Sequence, residues 1–237
     1  MAVKKMQCNK DQIPDEVKIH STLPSHPHII QLFGVTHSDS GFIINICMAL
    51  ADKSLYKYLH TEMEKPSLEK GTKWAKQIAM GMDHLHQKGL THLDLKSPNV
   101  LLFERGDILK LCDFGEARVL EGTVTMTGST GTYRWMAPEF QNKESRINQS
   151  CDVFSYGMIL FEVFMHQIPF SDTQNAYDAH SQIKKELRPP ISSEVPTHIK
   201  DLIESCWKQI PKNRPTSTEI LQVARNIAMY EQCAHYF

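Results

Sequence analysis

Short apolar runs mark the first part of the chain, at residues 2–3, at 29–35 (IIQLFGV) and at 42–48 (FIINICM), with a polar segment between the first two. Runs of this length, bounded by Pro, Ser, Gly and Asp, predict strands, and the polar segment has room for a short helix. From Ser54 onward the period changes. Trp74, Ile78, Met82 and Leu85 recur at helical spacing, and Val153, Tyr156, Leu160 and Phe164 do so again. These two helices predict the spine of a larger, mainly helical part. Between them, VLLFERGDILKL sets two apolar runs around a turn containing Gly106, which predicts a hairpin. Residues 116–132, rich in Thr, Ser and Gly, predict an extended loop. No internal repeat or low-complexity tract interrupts the pattern. The expected class is α+β, with a strand-rich part at 1–48, a connection at 49–53 and a helical part at 54–237.

A chain of 237 residues buries enough apolar surface to fold without metal or disulfide staples. Its formal net charge of -1 and mixed charge signs give no basic footprint, which argues against nucleic acid as a partner. The six cysteines, at 8, 47, 112, 151, 206 and 233, include no C-x-x-C pair. They read as reduced thiols packed as small hydrophobes rather than as a zinc site or a disulfide framework. The N-terminal MAVKKMQCNKDQ is polar and charged, unlike a secretory signal, and the longest apolar stretch, 153–165, is too short to span a bilayer. A soluble cytoplasmic protein is the expectation.

The chemistry gathers after the first long helix, where HLDLKSPN at 92–99 precedes the hairpin and DFG at 113–115 follows it. Phosphoryl transfer needs a carboxylate beside the attacking hydroxyl, cations to absorb the charge spreading over the transferred group, and oxygen ligands for magnesium. Asp94, Lys96, Asn99 and Asp113 are residues of those types. The short Asp94 to Asn99 spacing lets one loop present both a base and a metal-ligating amide, and the hairpin returns Asp113 to face them.

HLDLKSPNVLL, DFG and GTYRWMAPE resemble the catalytic loop, metal-binding motif and substrate-loop boundary of the protein kinase family, in matching order and spacing. The resemblance runs from Ala2 to about Ala228 and implies a bilobal kinase fold that uses ATP and Mg2+. It implies Asp94 as the acceptor of the substrate hydroxyl proton, Lys96 as a γ-phosphate contact, and Asn99 and Asp113 as metal ligands. Thr132 is the threonine by which the Ser/Thr branch braces the aspartate and lysine. Lys4 matches the strand lysine that grips the α- and β-phosphates, paired with Glu16 from a short helix beginning at Pro14; Asp15 fits the register less well. Met48, Ala49, Leu50 and Ala51 match the adenine hinge, with Met48 as gatekeeper and Leu101 as the floor of the slot. His92, Asp152, Trp207 and the Glu139 and Arg214 pair fall at scaffold positions. The closest likeness is to the tyrosine-kinase-like branch, especially mixed-lineage kinases acting as MAP kinase kinase kinases. This implies a protein substrate of the MAP kinase kinase type; any dimerising segment would lie outside this span.

Two departures bear on activity. Leu93 stands where many kinases carry the arginine that pairs with a loop phosphate, so phosphorylation at Thr125, Thr127, Ser129 or Thr130 is expected to control activity less steeply. None of the eleven glycines forms G-x-G-x-x-G, so the chain is expected to begin inside the small lobe, as a fragment or a form with weakened nucleotide grip. An enzyme is therefore weighed against a pseudokinase or scaffold module. A small-molecule phosphotransferase is disfavoured by GTYRWMAPE, a peptide-loop motif.

Overall fold

A computed structural model describes residues 1–7, 13–38, 42–119, 132–141 and 147–234. Strand β1 (Ala2–Gln7) turns Ala2, Lys4 and Met6 inward and exposes Val3, Lys5 and Gln7, the period-2 alternation of a half-buried strand. The short helix α1 (Asp15–Thr22) follows, with Pro14 one position outside its first turn, and buries Glu16, Val17 and His20. Strands β2 (Leu32–His37) and β3 (Ile43–Met48) complete an antiparallel sheet of order β1-β3-β2. Val17 on α1 and Ile44 and Ile46 on β3 are buried, each no more than 5 % exposed.

The strand expected over 29–35 is corrected at its start. His28 to Ile30 leave the small sheet and bond to the strand that ends at Leu111: Leu111 N donates to the His28 carbonyl at 2.9 Å, and Ile30 N to the Leu111 carbonyl at 2.8 Å. The ring of His28 reaches the Leu109 carbonyl at 2.8 Å, Lys110 Nζ donates to the Pro27 carbonyl at 2.7 Å, and His20 Nε2 contacts the Ile30 carbonyl at 2.7 Å. Gly81 admits this close approach, because a Cβ there would lie 2.8 Å from the His28 carbonyl oxygen.

Residues 49–52 connect β3 to β4 (Lys53–Ser54), which pairs with β6 (Val100–Phe103); β6 forms the expected hairpin with β7 (Ile108–Leu111). Helix α2 (Leu68–Gln87) starts at Ser67, whose Oγ accepts from Lys70 N, and presents Trp74, Ile78, Met82 and Leu85 to the core, all at most 1 % exposed. Helix α3 (Ser150–Met165) is buried on nearly every face, as its mostly apolar sequence requires. Tyr156 Oη ties it to α2 by donating to the Ala75 carbonyl at 3.1 Å. Helices α4 (Ala176–Lys184), α5 (Thr197–Cys206) and α6 (Ser217–Ala234) complete the helical part. The loop expected over 116–132 contains a short strand β8 (Arg118–Val119), paired with β5 (Leu90–Thr91); 120–131 lies outside the described residues, with Thr125, Thr127, Ser129 and Thr130. The described cysteines, Cys47, Cys112, Cys151 and Cys206, are free thiols. Among the described residues, no helix is long and apolar enough to cross a membrane.

At the junction of the two parts, the His26 ring stacks on His84 at 4.4 Å and meets His28 edge-on at 5.7 Å. Burial, reinforced by His84, His28 and Lys110, pushes His26 down from 6.5 to about 4. The native ring is then neutral where the unfolded chain takes up a proton, so this group costs stability as pH falls from 6.5 toward 4. The urea midpoint is expected to drop across that window, and to drop less in His26→Phe, which keeps the stack and removes the titration; equal slopes in both proteins would refute the assignment.

Candidate functional site

Strand β5 leads directly into the loop at 92–99, and Asp152 at the start of α3 holds that loop from behind. Its carboxylate accepts from His92 N at 2.8 Å, Leu93 N at 2.9 Å and His86 Nε2 at 2.8 Å. Burial would raise the Asp152 pKa, but His86, His92 and the backbone donors hold it below the usual carboxylate range. The anchorage supports Leu93 in the left-handed region, φ 64°, a conformation that costs a bulky residue about 1–3 kcal/mol. Leu93 itself is buried in the core at 6 % exposure, and its apolar side chain has no donor to offer a phosphate. His92 packs its ring on Phe114 at 5.3 Å and reaches the Cys112 carbonyl at 3.1 Å, a bracing arrangement.

Asp94, Lys96, Asn99 and Thr132 converge on one another. Lys96 Nζ donates to Asp94 Oδ1 at 2.9 Å and to Thr132 Oγ1 at 2.8 Å, while Thr132 Oγ1 donates to Asp94 Oδ1 at 3.0 Å. Asn99 Nδ2 donates to Asp94 Oδ2 and to the Asp94 carbonyl, both at 2.9 Å. The carboxylate is thereby fixed in orientation by three residues from two segments.

Across from it, Lys4 bridges two carboxylates: its Nζ lies 2.8 Å from Glu16 Oε2 and 2.9 Å from Asp113 Oδ1. Burial would lower the Lys4 pKa, yet the two carboxylates raise it above the ordinary lysine value; in return, burial of Asp113 is outweighed by Lys4, and its carboxyl titrates below the usual range. Asp15 instead faces Lys18 at the surface, 2.9 Å away, so register favours Glu16. The pairing of Ala2 with Met48 and of Lys4 with Ile46 puts these four residues on one face of the sheet. Met48 and Ala49 are half-buried against the core, while Leu50 is exposed. Leu101 is half-buried on β6, between the buried Val100 and Leu102.

The oxygen-only chemistry of Asn99 and Asp113 suits a hard cation that keeps several waters and shares its shell with phosphates, as Mg2+ does. Among the described residues, no group of three or more His, Cys, Asp or Glu is placed to hold a metal ion.

Two supports escape sequence reasoning. His86 has no motif of its own; only the three-dimensional position of Asp152 reveals it. Gln77 donates to the Asp107 carbonyl and accepts from Leu109 N, both at 2.9 Å, holding the hairpin that aims Asp113. Its burial on the α2 stripe among apolar neighbours is the one available signal. Glu139 and Arg214 pair at 2.6 and 2.9 Å, and Trp207 packs against Phe161.

Residues 1–224 match the family model described as the protein kinase domain. Mitogen-activated protein kinase kinase kinase 7 of Drosophila melanogaster is 37 % identical over 236 residues, covering 96 % of this chain and 34 % of that protein. The human protein of the same name is 34 % identical over 214 residues, covering 87 % of this chain and 34 % of its own length. Serine/threonine-protein kinase STY17 of Arabidopsis thaliana is 34 % identical over 203 residues, covering 85 % of this chain and 35 % of its own length. The chain thus spans about a third of the length of these relatives.

Proposed function

We propose that this chain, which belongs to the protein kinase family, transfers the γ-phosphate of ATP to serine or threonine hydroxyls of a protein. The observation that carries this reading is the double hold on Asp94 Oδ1 by Lys96 Nζ and Thr132 Oγ1. Asp94 is then poised to accept the hydroxyl proton as the oxygen attacks, with Lys96 beside it as the cation that meets the phosphoryl charge. Asn99 orients Asp94 through its amide N–H, leaving its amide oxygen, with the Asp113 carboxylate, as ligands for Mg2+. Bound there, the ion would neutralise phosphate charge and align the transferred group.

Lys4, held by Glu16, would grip the α- and β-phosphates; Met48, Ala49, Leu50, Ala51 and Leu101 would frame adenine. The division that fits is a small lobe at 1–48, a hinge at 49–53 and a large lobe at 54–237. The MAP kinase kinase kinase relatives favour a MAP kinase kinase as substrate.

The test is radiolabelled ATP transfer to a protein substrate by the wild type and by Lys4→Met, with nucleotide binding followed separately by thermal shift. Transfer by the wild type, reduced about tenfold or more in the variant together with weaker ATP binding, is the expected result. Nucleotide binding without transfer by the wild type would overturn the enzyme reading in favour of a scaffold module.

A further inference from the structure

A cavity of about 460 Å³ opens between the end of α2, β5, the start of α3 and the turn Pro211–Asn213, a size that suits a small ligand. None of its described lining residues is among those assigned to nucleotide, magnesium or the attacking hydroxyl. Its walls are apolar at Val153, Pro211 and Pro215, and two hydroxyl side chains stand among them, Thr91 and Ser150.

Thr91 is 1 % exposed, and its Oγ1 has no hydrogen-bond partner among the described residues. Ser150 Oγ is buried and unpaired in the same sense. A buried group left without a partner costs about 1–3 kcal/mol, and valine would fill the Thr91 position without that cost. Two such hydroxyls lining one cavity offer donors to a shared acceptor.

The charge that lines the cavity is positive. Helix α3, sixteen residues long, begins at Ser150 and brings the positive end of its dipole to this wall. Ser150 N is already taken by Asn148 Oδ1 at 2.9 Å, so the helix offers its dipole and its hydroxyl rather than that N–H. The exposed Lys212 adds a cation from the turn, whereas the Arg214 guanidinium is spent on Glu139. No carboxylate is among the described lining residues. Those on the neighbouring helices are occupied, Asp152 by His86, His92 and Leu93 and Glu219 by Thr216.

We propose that this cavity is a binding site for a small carboxylic acid with an aromatic or branched apolar body. The carboxylate accepts from the Thr91 and Ser150 hydroxyls in the field of the α3 dipole and Lys212, and the apolar body lies against Val153, Pro211 and Pro215. The site adjoins both ends of the anchorage described above, because Thr91 directly precedes His92 and Ser150 stands two residues before Asp152. It does not depend on the phosphotransfer reading.

The probe is sodium benzoate, titrated into the full chain at constant ionic strength and followed by the 13C-methyl NMR signals of Thr91 and Val153. Saturable shifts of both are expected. Thr91→Val, which swaps the hydroxyl for a methyl, should bind benzoate about tenfold more weakly, read from Val153. Benzyl alcohol, with the same ring and no charge, should bind the wild type about fivefold more weakly than benzoate does. If Thr91→Val does not fold, Lys212→Ala, at an exposed position, carries the test with an expected loss of about threefold. Methyl signals that do not move with benzoate would leave the hydroxyls to water and overturn the site, as would equal affinity in wild type and variant. Equal binding of benzyl alcohol and benzoate would overturn the carboxylic acid as its ligand class.

Discussion

Replacing Asp94 by asparagine is expected to lower the rate of phosphate transfer by about 10²–10⁴-fold, with ATP affinity nearly unchanged. The expectation follows from how the side chain is held. Asp94 has no contact with Lys4, Glu16 or Asp113 among the bonds described, so the groups assigned to nucleotide stay where they are. Asparagine matches the shape of aspartate but cannot take a proton from an attacking hydroxyl. Its amide N–H would also face Lys96 and Asn99, both donors toward the native carboxylate. Steady-state kinetics with nucleotide affinity measured independently separates the effects. Retention of more than about a tenth of wild-type turnover would remove Asp94 from the role of base.

The largest expected effect on stability comes from Arg214→Ala, about 3–5 kcal/mol less stable in urea unfolding. Both members of the pair are nearly sealed from solvent, the guanidinium at 0 % and the Glu139 carboxylate at 6 % exposure. Arg214 also donates to the carbonyls of Ser150, Lys208 and Gln209 and lies 5.0 Å from the Phe154 ring. Removing it strands the Glu139 charge with only the weak Cys151 thiol as a described donor, at 3.2 Å. Replacing both residues by leucine should recover much of the loss, because the cost lies in the unpaired charge more than in the missing attraction. A loss below about 1 kcal/mol for Arg214→Ala would place this pair among ordinary surface ion pairs.

The chemistry of the candidate site was legible because its members sit in one ordered stretch. Asp94, Lys96, Asn99 and Asp113 lie within twenty residues, separated only by a hairpin whose apolar runs and turn are plain. The long helices were legible for the same local reason. β1 was harder to read. Its full span hides behind Lys4, an inward-facing charge that breaks the apolar alternation and is tolerated because Glu16 and Asp113 receive it. The apolar Ile29 and Ile30 resemble a strand start, yet their backbone bonds go to β7, a partner about eighty residues away. Two-residue strands such as β5 and β8 carry no periodicity at all, so only pairing in space reveals them. Glu16 and Asp15 were separable only weakly by register, and the side-chain directions of α1 decide between them.

The bonds from His28 and Ile30 to β7 have a mechanical consequence. They fasten the chain just after α1 to the helical part, and His20 ties α1 itself to that same segment. Glu16 therefore sits on a helix tied to a segment that is bonded to β7, while Lys4 sits on the small sheet. Their 2.8 Å contact links α1 to β1. A shift of the sheet relative to α1 would stretch or release that bond, so the Lys4 to Glu16 distance would report such a shift.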